Sequence, residues 1–279
     1  MDLTSPRCLP IHTEPSQRPP LPHYFQGELD RGTTEILAAS QAQEIFRLVE
    51  RALPKPLADC DVLDVGCGAG NLALAMAKHA RSVVGVEANE TLVRRAHDRA
   101  QQTPVANAKF LQRDLFALGE VAKYDLIVCS TVLEHVPNGH RALTQIVRAM
   151  RPWGVLYLTV PNKLWPIECH YGLPFLSWLP LRMANWYVRV FRKATSYEDA
   201  CYAPTYFQLR QLLRQFPLRV EFRTPVNIAA EVYGMGHASY KWLYRLGKAL
   251  IDRCPWFWII SKGFIVVAVK NDMDTGDSR

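Results

Sequence analysis

Residues 61–70 read DVLDVGCGAG, and residues 83–89 read VVGVEAN. Val62, Leu63 and Val65 suit a short buried strand. Gly66, Cys67, Gly68, Ala69 and Gly70 then turn it sharply into a helix beginning near Asn71. Glycines at alternate positions leave no side chain where backbone must come close to a ligand. Val83 to Val86 form a second strand, and Glu87, followed by Ala88, stands at its carboxyl end. A carboxylate there can accept hydrogen bonds from both hydroxyls of a ribose. The two stretches together predict an α/β domain that holds a nucleoside-bearing cofactor.

The spacing of the glycines narrows the cofactor. Dinucleotide enzymes use G-x-G-x-x-G and rest a pyrophosphate on the helix N-terminus. Here the pattern is Gly66-x-Gly68-x-Gly70, with Asp64 two residues before the first glycine. A carboxylate at that point repels a pyrophosphate and suits a cationic ligand, such as the ammonium of S-adenosylmethionine. Residues 109–115, KFLQRDL, read as a third strand ending near Asp114. Asp114 can accept from an adenine amino group, with the Leu115 N–H on a ring nitrogen; alternatively, Asp114 caps the next helix. A fourth strand, Tyr124 to Ser130, leads into Thr131-Val132-Leu133-Glu134-His135-Val136. A helix over 139–150 and a fifth strand, Gly154 to Val160, follow.

In this order and spacing, VLDVGCGAG, VVGVEAN, FLQRDL, YDLIVCSTVLEHV and WGVLYLTVPN resemble the class I S-adenosylmethionine-dependent methyltransferases. The nearest group is the small-molecule branch that includes the ubiquinone-biosynthesis O-methyltransferases. The resemblance spans residues 40–162 and, more weakly, 205–270. It implies a doubly wound, seven-stranded, mostly parallel Rossmann-like sheet of order 3-2-1-4-5-7-6, with its last strand antiparallel. It implies S-adenosylmethionine as cofactor. Gly66, Gly68 and Gly70 would lie under the methionine part, with Asp64 and Cys67 beside them and Glu87 on the ribose. Asp114 and Leu115 would hold the adenine, and Ser130 would line the amino-acid end. The resemblance leaves the acceptor open.

Composition sets outer bounds. The chain has 279 residues, 49% of them hydrophobic, enough to build a full core. Residues 1–23 hold many prolines and few large apolar groups, which predicts a disordered arm, with the methyltransferase domain running from 24 to 279. Glu35 to Leu53 carries a partial helical stripe, ended by Pro54-Lys55-Pro56. The cysteines form no C-x-x-C pair, so no metal site is expected. The chain lacks a basic-then-apolar leader and any long apolar run. A cytoplasmic location is expected, with peripheral contact at the inner face of a membrane open to it.

Charge is uneven. Residues 1–150 carry 16 Lys/Arg and 17 Asp/Glu, whereas residues 151–279 carry 17 and 9. The excess of positive charge in the second half points to an anionic partner. Residues 163–204 form an insertion too long for a plain connection, and their prolines and aromatics suit a lid or substrate wall. Ser177 and Pro180 are placed to open a helix over 180–193, with Arg182, Asn185, Arg189 and Arg192 as its polar stripe. A second helix over 240–253 has a stripe of Lys241, Arg245, Lys248 and Asp252. Basic stripes on aromatic-rich helices suit contact with anionic lipid. Packing of the two helices on each other, or a homodimer interface, fits the same pattern.

Transfer of a methyl group to a hydroxyl is helped by a base that works near neutral pH, and histidine is the usual choice. His135 follows the fourth strand. His170 lies in the insertion, two residues after Glu168, which can orient it. Tyr24, Trp165, Glu168, Tyr171 and Phe175 are the expected lining of an acceptor site. The fourth strand ends in CSTVLEHV and not in N/D-P-P-Y, which argues against amino groups on bases or glutamine. A small-molecule or lipid-linked hydroxyl acceptor is expected, with no nucleic-acid partner. The alternatives are a nucleic-acid-modifying methyltransferase and a non-catalytic subunit that only binds the cofactor.

Overall fold

The structure is a computed structural model that describes residues 35–224 and 241–272. The expected arm over 1–23 and Tyr24 lie outside the described residues, as do the side chains of Lys241, Arg245 and Asp252. The strands are β1 (Asp61–Val65), β2 (Ser82–Glu87), β3 (Ala108–Gln112), β4 (Tyr124–Ser130), β5 (Met150–Pro161), β6 (Leu218–Arg223) and β7 (Gly263–Lys270). They form one sheet in the order β3-β2-β1-β4-β5-β7-β6. All neighbours from β3 to β5 are parallel, and β7 runs antiparallel to β5 and β6. The fold is therefore the one the resemblance implies.

Alternation along the strands explains the two layers. Successive side chains of a strand point to opposite faces. Val62, Leu126, Val128, Val155 and Tyr157 enter one core with α1 (Glu35–Val49) and α2 (Asn71–Ala77). Leu63, Ile127, Cys129, Leu156 and Leu158 enter the other with α4 (Gly139–Ala149) and α6 (Tyr206–Leu213). The helix α3 (Glu90–Gln102) adds Val93 and Ala96 to the first. Each wholly buried aliphatic side chain contributes about 1.5–3 kcal/mol through its removal from water. With both faces covered, the central strands read as near-continuous apolar runs.

Several expected boundaries move, each for a local reason. α1 stops at Val49, where Ala52 N and Leu53 N turn back onto Val49 O ahead of Pro54. β3 ends at Gln112 because Asp114 caps the short turn that follows. β5 starts at Met150, four residues before Gly154, and its pairing with β4 shifts register between Tyr124 and Leu126. In the insertion, α5 spans Leu181–Val190 with Pro180 as its N-cap residue. Ser177 does not cap it, since its hydroxyl donates to Lys163 O. The second basic helix, α7, spans Lys241–Arg253.

The amino ends of the central strands are closed by ion pairs. Asp125, 3% exposed, accepts from Asp61 N and pairs with Arg151 and Lys55. Asp61 pairs with Arg81 and Arg151 and accepts from Ser82. Its hydrogen bonds from Arg81, and then those from Ser82 and Arg151, outweigh burial and hold its carboxyl well below the usual carboxylate range. A depressed carboxyl contributes stability above its unfolded pKa, about 4, and loses it as the pH falls through the folded value. Asp61→Asn should therefore cost about 1–3 kcal/mol at neutral pH, and the gap to wild type should shrink below about pH 4. Urea denaturation at pH 7 and pH 3 reads this directly; an equal gap at both values refutes the role given to the ion pairs.

Candidate functional site

The carboxyl ends of β1 and β2 are locked to each other beyond their pairing. Gly66 N and Cys67 N both donate to Val86 O, at 2.8 and 3.1 Å. The chain then passes through left-handed φ values of +67° at Gly66, +54° at Gly68 and +81° at Gly70. Gly68 N donates to Glu87 Oε2 at 3.1 Å, and Asn89 N donates to Glu87 Oε1 at 2.9 Å. Asn89 in turn caps α3 by accepting from Thr91 N and Leu92 N. Arg99, from α3, donates to Ala69 O at 3.0 Å. Cys67 is buried beneath this loop, where burial pushes its thiol far up, and Ala88 is half-buried beside Glu87.

Two glycines have opposite environments. A Cβ on Gly68 would meet nothing within 4 Å, so the space above the loop is open. A Cβ on Gly85, in β2, would come within 2.7 Å of Phe110 and 2.8 Å of Cys67 Sγ. Gly85 thus lets Phe110 and Cys67 pack under the loop, a role that neither composition nor motif reveals.

Asp64 is 3% exposed, and its Oδ2 has no hydrogen-bond partner. Burial, with Glu87 nearby, pushes its carboxyl up to about 8. Asp114 Oδ1 accepts from Phe116 N at 2.8 Å and caps the turn Leu115–Ala117, so the capping reading of Asp114 is realised. Ser130 Oγ meets Thr159 Oγ1 at 2.9 Å across β4 and β5. Thr131 follows with φ +54°, a strained backbone for a β-branched residue. A buried carboxylate oxygen without a hydrogen bond, open space over Gly68 and a carboxylate at the end of β2 fit a cationic ligand bearing a ribose. Asp64, Gly66, Gly68 and Glu87 could hold S-adenosylmethionine, with Asp114, Leu115 and Ser130 at its rim.

A second constellation lies where the insertion meets the end of β4. Tyr202 N donates to Glu134 O at 3.1 Å, and Lys163 N donates to Pro204 O at 3.1 Å, which closes the insertion into a loop. Glu134 is 0% exposed. The rings of His135 and His170 meet edge-on with centroids 4.9 Å apart. His135 Nδ1 lies 2.5 Å from Asp199 O. Burial pulls the His135 pKa down to about 4, so the ring is neutral at neutral pH. Glu168 Oε1 holds His170 Nδ1 at 2.8 Å, while Oε2 accepts from His170 N and Tyr171 N. Burial opposes a charge on His170, yet its contacts with Cys169 and Glu168 outweigh it and raise the pKa well above the usual range. Burial raises Glu134 to about 7.

The expected acceptor residues take different places. Glu168 orients His170 as expected. Tyr171 is buried in a small core within the insertion, with Leu176, Val188 and Tyr197, and its hydroxyl donates to Asp199 Oδ1. Trp165 is half-buried. Phe175 is 49% exposed and meets Trp178 edge-on at 4.8 Å. Asp199 lies in no motif, and the capping role of Asn89, at the end of VVGVEAN, shows only in its hydrogen bonds.

This sheet order, with a glycine loop and an acid at the ends of β1 and β2, defines a class I S-adenosylmethionine-dependent methyltransferase domain. Residues 37–221 match the methyltransferase-domain family, and the chain belongs to that family. Its cofactor is S-adenosylmethionine. The chain is 37% identical over 103 residues to the ubiquinone biosynthesis O-methyltransferase of Coxiella burnetii (strain Dugway 5J108-111). That match covers 37% of this chain and 44% of the relative, so less than half of the relative's length is spanned. The YcgJ protein from Bacillus subtilis shares the fold at 18% identity and a TM-score of 0.54, covering 82% of this chain and 99% of that one. The magnesium protoporphyrin IX methyltransferase from Synechocystis PCC 6803, with bound SAH, aligns at 17% identity and a TM-score of 0.50 over 85% and 84% of the two chains.

Glu87→Ala should weaken S-adenosylhomocysteine binding by about 1–3 kcal/mol in calorimetry, since it removes hydrogen bonds to a charged group. Gly68→Val should abolish binding by filling the open space. A cationic ligand beside Asp64 should draw off its proton, so binding near pH 7 should release a proton that Asp64→Asn does not release. Calorimetry in buffers of different ionisation enthalpy measures that release. Equal proton counts for wild type and Asp64→Asn would remove Asp64 from the site.

Proposed function

We propose that this chain transfers a methyl group to a hydroxyl oxygen of a small hydrophobic or lipid-linked acceptor. The observation that carries the reading is the docking of the insertion onto the end of β4, beside the glycine loop and Glu87. Ligands of open α/β sheets bind outside the carboxyl ends of the strands, and residues 163–204 stand at that edge. S-adenosylmethionine supplies an electrophilic methyl on a sulfonium, whose sulfur departs as a neutral thioether. The protein's part is to align the acceptor oxygen with that methyl and to keep water away. Glu87 and the Gly66–Gly70 loop position the cofactor, with Asp114 and Leu115 at the adenine and Ser130 at the amino-acid end. Trp165 and Phe175 supply apolar wall for the acceptor. The name of the Coxiella burnetii relative supports an oxygen acceptor.

The outer face of α5 supports delivery from a membrane surface. Met183, Trp186, Val190 and Phe191 are each more than half exposed, at 55%, 65%, 53% and 54%. Monomers seldom leave such a run uncovered. Exposed Arg182, Arg192 and Lys193 border it, which suits anionic headgroups. The stripe expected from sequence is only partly solvated, since Asn185 Oδ1 accepts from Tyr197 N and Arg189 Nε donates to Thr195 O. Among the described residues no helix is long and apolar enough to cross a membrane, so contact would be peripheral.

Label from radioactive S-adenosylmethionine should enter a compound in a cell extract, most of it in the organic phase. Cofactor binding with no labelled product in any phase would leave only a non-catalytic binding subunit. Sedimentation with anionic vesicles should fall at least about tenfold in Arg182→Glu/Trp186→Ser/Lys193→Glu, and in wild type at high salt, where exposed charges are screened. S-adenosylhomocysteine affinity should be unchanged in the variant. If wild type does not sediment with anionic vesicles even at low salt, the acceptor reaches the site from solution.

A further inference from the structure

Three side chains of ligand type converge where the insertion meets β4. One ligand atom each from Glu134, His135 and His170 lies within 4.8 Å of the others. Glu134 is wholly buried, and neither carboxylate oxygen makes a hydrogen bond to another residue. A buried carboxylate left in that state is costly unless a cation or donor reaches it. His170 Nε2, 4.0 Å from Glu134 Oε1, is beyond hydrogen-bond distance.

The histidines are oriented in the manner of metal ligands. Metal-binding imidazoles donate their other ring N–H to a carboxylate or a backbone carbonyl, which fixes tautomer and ring plane. Both forms occur here: His135 Nδ1 is on Asp199 O and His170 Nδ1 is on Glu168 Oε1. Glu168 is itself fixed by the backbone N–H groups of His170 and Tyr171, at 2.8 and 2.7 Å. Nothing about a proton relay alone requires a third, bare carboxylate facing the two rings.

We propose that Glu134 and the Nε2 atoms of His135 and His170 bind one divalent first-row cation, leaving a coordination position for the acceptor hydroxyl. Two imidazoles and one carboxylate favour zinc, manganese, iron(II) or cobalt over magnesium or calcium, which take oxygen ligands. The absence of C-x-x-C spacing is no obstacle, because this site is drawn from two distant segments. The chemistry rests on the methyl-transfer reading above. A hydroxyl bound to the cation gives up its proton to solvent water more readily. The O–H electron pair stays on oxygen, which forms the new C–O bond as the methyl–sulfur bond breaks. No oxidant or reductant enters. His170, which Cys169 and Glu168 keep protonated in the metal-free chain, releases that proton to solvent as the cation binds; both histidines then act as ligands and not as the acceptor of the hydroxyl proton.

The test uses the full chain without a histidine tag. Wild type is expected to retain about one equivalent of metal through gel filtration, measured by elemental analysis. After chelation it should bind zinc in calorimetry with no cofactor present. Glu134→Gln, His135→Ala and His170→Ala should each weaken zinc by about tenfold or more, as changes around such sites do, while S-adenosylhomocysteine affinity stays at the wild-type value. That last measurement separates failure of this site from failure of the cofactor site or of folding. Cys169→Ser should keep zinc affinity. The Cys169 sulfur lies 3.2 Å from His170 Nδ1, and Glu168, Cys169 and His170 form the rival cluster. Three results would each overturn the proposal: no metal retained and no zinc heat, zinc affinity unchanged in the Glu134, His135 and His170 variants, or loss confined to Cys169→Ser.

Discussion

The hydrogen bond from Gly68 N–H to Glu87 ties the loop after β1 to the end of β2, and the candidate cofactor site is built around it. It extends the parallel pairing in which Val65 lies opposite Val86. Gly66 and Cys67 continue that pairing by donating to Val86 O. Arg99 holds the loop from α3, and Phe110 fills the space beneath it. The loop is therefore held by contacts within the protein itself. Such preorganisation reduces the ordering that binding would otherwise require.

The two ends of the central strands treat carboxylates differently. At the amino ends, Asp61 and Asp125 are satisfied by Arg81, Arg151, Lys55, Ser82 and backbone. At the carboxyl ends, Asp64 and Glu134 are buried with bare oxygens. Burying a polar oxygen without a hydrogen bond costs stability. Keeping two such groups at one edge means that this edge carries the ligand chemistry while the other secures the sheet. Thr131, with its left-handed backbone between Ser130 and Val132, adds strain at the same edge.

The insertion owes its shape to a core of its own. Tyr171, Leu173, Leu176, Ala184, Val188, Tyr197 and Ala200 are all buried within it. Its ends are joined by Lys163 N on Pro204 O, and Tyr202 N fastens it to Glu134 O. A segment packed in this way can hold Glu168 and His170 in fixed positions. It can also leave Met183, Trp186, Val190 and Phe191 on its outside without collapsing onto them.

The glycine loop and the acids at the strand ends were legible in the sequence because each rests on local spacing, whereas the sheet order was legible only through the family resemblance that those motifs carry. Two strands separated by one helix fix the distance from Gly66 to Glu87, and apolar runs of four or five residues mark buried parallel strands. Exact ends were less legible, since Asp114 and Ser177 had several partners open to them and packing chose among these. What the tertiary structure alone decided lies in the insertion. Tyr171 looked like a wall residue but became core, because the insertion had apolar groups enough to build one. His170 is thirty-five positions from His135, and no periodicity relates them. Only the path of the insertion, closed at 163 and 204 and fastened to Glu134, brings the two rings and the buried carboxylate together. Local patterns set which edge of the sheet is the site, whereas contacts between distant segments set which side chains meet there.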